Sequence, residues 1–385
     1  MKVIISSDPI KFPLTGIGRY TYELIMAFQK LKSFEDVKYL NGYTVVNDFN
    51  SNHGVASVNS SSSLKTRIVS QLKKSSVADV YRVLSPYLKS RALSSYTDHI
   101  FHGTNFYVPK FKGKSISTFH DLSPFLMPHC IEPKRCDFLQ RQLTETVKNA
   151  TFFITDTHHT KNELIEHFGI DENRVKAVHL ACDSSFQVRK EAQVLDALHK
   201  YGLSYNNFSL CVCTIEPRKN IDVLIDAYSR LPNVLRAKFP LVLVGHEGWC
   251  SEKTHVKIKR FESEGWLKYL SFVNHDDLPL IYSAARLFVF PSIYEGFGLP
   301  ILEAMSSGVP VISSNASCLP EVAGEAALYF APSDVEGLSS HLNEMLEDEE
   351  TLDFYRQSGL KRVEQFSWHR CAMETLQVYK TLSEL

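Results

Sequence analysis

Short apolar runs alternate with segments of helical spacing along this chain, in two consecutive series. A strand that repeatedly gives way to an amphipathic helix can pair only in parallel with the next strand, in a sheet covered on both faces. The first series opens with the strand KVIISS. Residues 16–31 follow with Ile17, Tyr20, Leu24, Ala27, Phe28 and Leu31 at helical spacing. The spacing predicts a strand in NGYTVVN (41–47), a polar loop over 50–63 and a basic helical stretch to about residue 92. HIFHGTNFYVP and KSISTFHDLSP each read as a strand running into a loop. Residues 136–150 are helical, TFFITDT is a strand, Gly169 stops a helix, and VKAVHLACD is one more strand. The second series follows a polar helical linker at 190–206. Its strands are FSLCVCTI, PLVLVG, YLSFVNH, RLFVFPS, GVPVISS and ALYF.

The fold class expected is α/β, with two Rossmann-like doubly wound domains facing across a cleft. A chain of 385 residues, 44% hydrophobic, is long enough for two cores. The expected boundaries are 1–195 and 196–368. In such sheets ligands sit at the carboxyl ends of the strands, where the notable loops of both series lie.

The formal charge of -1 does not suggest nucleic acid as a partner, but it conceals an asymmetry. Residues 1–200 carry 26 Lys and Arg against 19 Asp and Glu, and the remainder 16 against 24. Residues 61–115 hold ten basic and two acidic side chains. Such a surface is either simply solvated or meets an anionic partner such as a lipid headgroup. No apolar run approaches the roughly eighteen residues that cross a bilayer, and MKVIISSDPI reads as a strand rather than a signal peptide. The eight cysteines have neither disulfide nor zinc spacing, the mark of a reduced cytosolic protein. Cys211 and Cys213 are expected on opposite faces of a strand or within its core.

Four stretches carry chemistry. The first is YEGFGLPILEAMSSG, with Glu295 and Glu303 on either side of a glycine turn. Pro300 suits the first turn of a helix and Gly308 its C-terminal cap. The amides near Leu299, Ile301 and Leu302 are expected to form an anion site, which Gly296 and Gly298 let a ligand approach. Two carboxylates beside such a site suit diols, one on a ribose and one on a sugar. An early glutamate also favours the helix dipole without any ligand. In TIEPRKN, Arg218 and Lys219 follow a strand, where adjacent cations can neutralise a diphosphate. FHDLSP places His120 and Asp121 after another strand. Adjacent residues do not form a catalytic His–Asp hydrogen bond, so His120 is read as a donor to a sugar hydroxyl. TGIGRY gives Gly16 and Gly18 as a loop over a phosphate, but Thr21 stands where a dinucleotide fingerprint has its third glycine.

With Gly16-Ile17-Gly18, His120-Asp121, Glu216-Pro217-Arg218-Lys219-Asn220, the Glu295-to-Glu303 stretch and SNASCLPEVAG in that order, the sequence resembles a GT-B-fold retaining glycosyltransferase of the large family 4. It is most similar to bacterial O-antigen and exopolysaccharide mannosyltransferases. The resemblance implies an acceptor-binding first domain, a nucleotide-sugar-binding second domain, and a C-terminal helix at about 369–385 that returns to the first. It implies Glu303 on the ribose, and Glu295 with the backbone at Phe297 to Leu299 on the sugar. Arg218 and Lys219 go to the diphosphate, His120 over the sugar, and Gly16 and Gly18 near the phosphate. It implies retention and no obligatory metal or other cofactor. GDP-mannose is the donor it favours, with UDP- or dTDP-sugars behind it. The expected acceptor is a glycan, and the basic first domain points to a lipid-linked one at the cytoplasmic face of the membrane. An NAD-dependent oxidoreductase and a non-catalytic nucleotide-sugar-binding subunit are the readings from other classes.

Overall fold

The computed structural model describes residues 1–31, 33–49 and 76–384. The loop expected at 50–63, and the basic stretch before residue 76, lie outside the described residues. Two sheets form. The first has the order β3-β2-β1-β4-β5-β6-β7. It is built from β1 (Lys2–Ser6), β2 (Asp36–Asn41), β3 (Thr44–Val46), β4 (Ile100–Gly103), β5 (Ser115–Phe119), β6 (Phe152–Thr155) and β7 (Val175–Ala177). The second has the order β10-β9-β8-β11-β12-β13. Its strands are β8 (Ser209–Val212), β9 (Leu241–Val244), β10 (Leu267–Leu270), β11 (Leu287–Phe290), β12 (Val311–Ser314) and β13 (Ala327–Phe330). All pairings are parallel except β2–β3. The α/β architecture with two Rossmann-like sheets is therefore as expected. In β4, β5, β6, β9, β11 and β12 every residue is buried, because helices cover both faces.

Three strands differ from the sequence reading. NGYTVVN is not one strand. Gly42 takes a left-handed φ of 61° and turns the chain between β2 and β3, so the strand beside β1 lies upstream, at Asp36–Asn41. The Asn-Gly pair is itself a hairpin signal. β7 stops at Ala177 rather than reaching residue 183, because it is an edge strand matched to the short β6. β10 covers Leu267–Leu270, not 269–275, for the same reason: β9 offers no partner beyond Val244. Of the two placements expected for Cys211 and Cys213, opposite faces or the core, the structure takes the second. Side chains alternate with period two along a strand, so the pair shares a side, and both pack on one core. The hydrogen bond between them, with burial, pushes the Cys211 thiol up.

The helix Trp368–Glu384 lies against the first helix, Gly16–Leu31. Tyr20, Leu24, Ile25 and Phe28 meet Ala372, Leu376, Tyr379 and Leu382 in one core. The same core takes in Phe297, Leu302 and Val322 of the second half, so apolar packing runs continuously across the seam between the sheets. A buried polar chain fixes the helix in register. The Tyr379 hydroxyl is 2.6 Å from His102 Nδ1, and His102 Nε2 is 2.8 Å from Thr118 Oγ1. Thr118 Oγ1 is in turn 3.0 Å from the Tyr20 hydroxyl. Burial, with the nearby His120, pushes His102 down to about 3, so its ring is neutral and offers one donor and one acceptor. Among the described residues no helix is long and apolar enough to cross a membrane.

Tyr379→Ala should cost about 3–5 kcal/mol of stability through the lost ring. Tyr379→Phe should cost about 1–3 kcal/mol, through the unpaired His102 nitrogen alone. Urea unfolding of both variants measures the two shares; equal costs would deny packing any share of the helix's anchorage.

Candidate active site

The loop after β11 and the helix Leu299–Ser306 are shaped by their sequence. Gly298, at φ 102°, caps the helix start, Pro300 sits in its first turn, and Gly308, at φ 72°, ends it. Glu295 lies in the loop, 7% exposed. Its Oε2 is 3.0 Å from Arg218 Nη1, and its Oε1 accepts from Lys219 Nζ. Arg218 also donates to the Tyr294 carbonyl at 3.0 Å and lies 2.8 Å from Glu216 Oε1. These cations come from the turn Pro217–Lys219 after β8. Asn220, at a left-handed φ of 58°, ends that turn. Its amide donates to Pro291 O at 3.0 Å and Pro332 O at 2.8 Å, tying together the loops that follow β8, β11 and β13.

Burial would raise the Glu295 carboxyl, but Lys219 and Arg218 hold it below the usual carboxylate range. Burial would likewise lower Arg218, and Glu295, Asp121 and Glu216 hold its guanidinium above its ordinary value. Arg218 and Glu295 are therefore held in their charged forms, and the formal charges of Arg218, Lys219, Glu216 and Glu295 sum to zero. The cations alone do not make an anion site. The backbone adds to them: among the described residues no hydrogen bond uses the amides of Gly296, Phe297, Gly298 or Leu299. Unpaired amides in a buried loop are what an anionic oxygen requires. The helix end itself offers less than the sequence suggests. Pro300 has no N–H, and the Ile301 amide already donates to Gly298 O at 3.0 Å. The side chains of Ile301 and Leu302 are fully buried in core, so only their backbone can face a ligand.

Gly296 rests against the first sheet's loops. A Cβ there would stand 1.7 Å from His120 O and 3.1 Å from Asp121 Cβ. Gly296 O accepts from Thr157 Oγ1 at 3.0 Å. Tyr294 reaches the same way: its hydroxyl accepts from Leu122 N at 3.0 Å and donates to Glu163 at 2.7 Å. The structure thus brings the His120-Asp121, Arg218-Lys219 and Glu295 stretches to one seam.

His120 does not pair with its neighbour. Its Nδ1 is 2.7 Å from Asp156 Oδ2, and its Nε2 is 2.9 Å from the Thr104 carbonyl. Burial pulls the imidazole down, but Asp156 and the Thr104 carbonyl hold it above its ordinary value. Both ring nitrogens are engaged, so in this arrangement neither is free for a sugar hydroxyl. Asp121 accepts from Ser123 N at 2.9 Å and turns the chain after β5.

Gly16 and Gly18 are not in a loop: they form the first turn of their helix, with Thr15 Oγ1 3.4 Å from Gly18 N. A Cβ at Gly18 would meet Pro9 O at 2.8 Å, whereas Gly16 faces open space. β2 ends in Leu40-Asn41 and has its acid, Asp36, at the wrong end for a dinucleotide ribose. Arg19, which the sequence reading passed over, is the charged group of this turn. It pairs with Asp183 and lies 2.7 Å from His275 Nε2, across the seam. Its spacing along the helix, in line with Glu23, reads as an ordinary surface ion pair and gave no signal. Asp156 had none, since its place beside His120 arises from the pairing of β5 with β6.

Glu303 sits apart from the Glu295 cluster. Burial pushes it up to about 7, with Tyr282 and Arg19 pulling the other way and Asp183 adding to the rise. The Tyr282 hydroxyl is buried and lies close enough to Glu303 to lower it, but it has no partner at full hydrogen-bond geometry. An unpaired hydroxyl beside a poorly solvated carboxyl suits a diol.

Residues 200–362 match the family described as glycosyl transferases group 1. The chain is 38% identical to O-antigen chain mannosyltransferase B of Escherichia coli, over 99% of this chain and 100% of that one. Among solved structures it is similar to sucrose-phosphate synthase from Thermosynechococcus elongatus, with a TM-score of 0.71, 20% identity and 99% of each chain covered. It is also similar to WaaG, a glycosyltransferase involved in lipopolysaccharide biosynthesis, with a TM-score of 0.67 and 14% identity. That match covers 98% of this chain and 99% of the other. The last two likenesses concern the fold, which is GT-B.

Gly296→Ala should abolish most turnover while each sheet stays folded, because a Cβ forces the seam apart; wild-type rates in a steady-state assay would contradict this. Glu303 binds its proton more tightly folded, at about 7, than at its ordinary 4.5. Its contribution to stability therefore falls as pH rises between those values. Melting curves across that window should show a smaller decline for Glu303→Gln than for wild type.

Proposed function

Since this chain belongs to the group 1 glycosyltransferases, we propose that it transfers mannose from GDP-mannose, with retention, to a growing lipid-linked glycan of an O-antigen or related polysaccharide. The full-length likeness to an O-antigen chain mannosyltransferase supports the sugar and the product class. The observation that carries the chemistry is the Glu295–Arg218–Lys219 cluster beside four unpaired loop amides, closed against His120.

In this reading residues 196–368 bind the donor. Residues 1–195, with the C-terminal helix, bind the acceptor. Glu303 and Tyr282 take the ribose. Arg218, Lys219 and the amides of Phe297 to Leu299 take the diphosphate, with Gly16 leaving room near it. When the donor enters, Glu295 exchanges its cations for sugar hydroxyls, and the freed cations turn to the phosphates. His120 reaches the sugar by giving up Thr104 O. The basic first half keeps the enzyme at the cytoplasmic face of an anionic membrane, where a lipid-linked acceptor is found.

Transfer builds negative charge on the departing diphosphate and positive charge on the sugar ring. Fixed cations and amides stabilise the first, and this reading gives no metal a step. The acceptor attacks the face that the diphosphate leaves, and a donor phosphate oxygen takes its proton. Retention then needs no covalent glycosyl-enzyme.

A thermal-shift panel of GDP, UDP, ADP, dTDP and NAD tests the donor, since a ligand of the native state raises its melting temperature. GDP alone should stabilise; a response to UDP or dTDP alone would discard mannose. Lys219→Ala should lose about a hundredfold in rate, or roughly 3 kcal/mol, with the fold intact. Trapping a glycosyl adduct would overturn the front-face route.

A further inference from the structure

A second cluster crosses the seam away from the Glu295 loop. Glu321, in the short helix Leu319–Ala323 of the second half, reaches the first. Its Oε1 accepts from His158 N at 2.7 Å and lies 2.7 Å from His179 Nε2. Its Oε2 accepts from His159 N at 2.9 Å. His158 opens the helix His158–Phe168, and His179 follows β7 as the chain leaves the first sheet. One ligand atom from each of His158, His179 and Glu321 lies within 4.8 Å of the other two. The His158 ring is exposed, and its nitrogens make no hydrogen bond among the described residues.

We propose that His158, His179 and Glu321 hold a divalent transition-metal ion of the zinc class, which clamps the seam shut. Two imidazoles and a carboxylate form a nitrogen–oxygen set that suits zinc. Magnesium and calcium prefer oxygen alone. With metal–ligand distances of about 2.0–2.2 Å, tetrahedral ligands stand roughly 3.3 Å apart. The contact between His179 and Glu321 must open by roughly half an ångström to reach that spacing, and the His158 ring must turn inward, which its exposure permits. A fourth position remains for water. The ion joins an element of each half to the segment between them. The His179 ring is 6.2 Å from that of Phe297, so the clamp bears on the loop that carries Glu295. Without a metal, a partly exposed His–Glu pair adds little to closure. The clamp holds whichever sugar nucleotide the enzyme uses and takes no part in the transfer.

Calorimetric titration of the full reduced chain with zinc chloride tests this, together with the visible spectrum of the cobalt(II) form. One equivalent should bind, each of His158→Ala, His179→Ala and Glu321→Gln should weaken binding at least tenfold, and excess magnesium should not compete. Cobalt should give ligand-field bands without a thiolate charge-transfer band. Zinc should raise the melting temperature of wild type but not of His158→Ala, an exposed substitution that leaves the fold intact. Failure to bind zinc, undiminished affinity in His158→Ala, or a thiolate band lost on cysteine alkylation would each overturn the proposal.

Discussion

Gly296 has no side chain, and the seam between the two sheets closes on that fact. Its backbone occupies space beside the His120 carbonyl that any Cβ would fill. Thr157, Tyr294 and Glu163 then bridge the same line. Because the loop is seated there, Glu295 is buried, and a buried carboxylate needs its cations. Arg218 and Lys219 supply them from a different strand. The charged heart of the site is thus a consequence of a steric allowance of one methyl group.

The two glutamates of the loop and helix, close in sequence, have opposite fates. Glu295 is charged because two cations face it, whereas Glu303 is pushed toward neutrality because burial outweighs Tyr282 and Arg19. The difference matches the tasks proposed for them. A carboxylate beside the diphosphate must remain an anion to keep Arg218 and Lys219 aligned before the donor arrives. A group that meets a ribose diol can share its proton with the neighbouring hydroxyl. Preorganisation of this kind limits the reorganisation needed when charge develops on the leaving group.

The C-terminal helix gives the arrangement its rigidity. It belongs to the second half in sequence but shares a core with the first helix and with Phe297 and Leu302. The apolar packing behind the Glu295 loop is therefore continuous with that behind the first sheet. The buried chain from Tyr379 through His102 and Thr118 to Tyr20 ends beside the ring of His120, 5.0 Å from that of Tyr20.

The sequence by itself determined the class of fold and most of the strands, because buried parallel strands and amphipathic helices are written in local periodicity. It also marked the glycine turn, Pro300, the Arg218-Lys219 pair and both glutamates, since each is a residue type with a local mechanism. It missed the hairpin at Gly42 and overran the edge strands, whose lengths depend on their partners. Only the tertiary structure decided which groups meet. That His120 answers to Asp156 and not Asp121, that Arg19 spans to His275, and that Glu321 meets His158, His159 and His179 are long-range facts. They arise from strand order and from the closing of one sheet's loops on the other's, and no spacing along the chain encodes them.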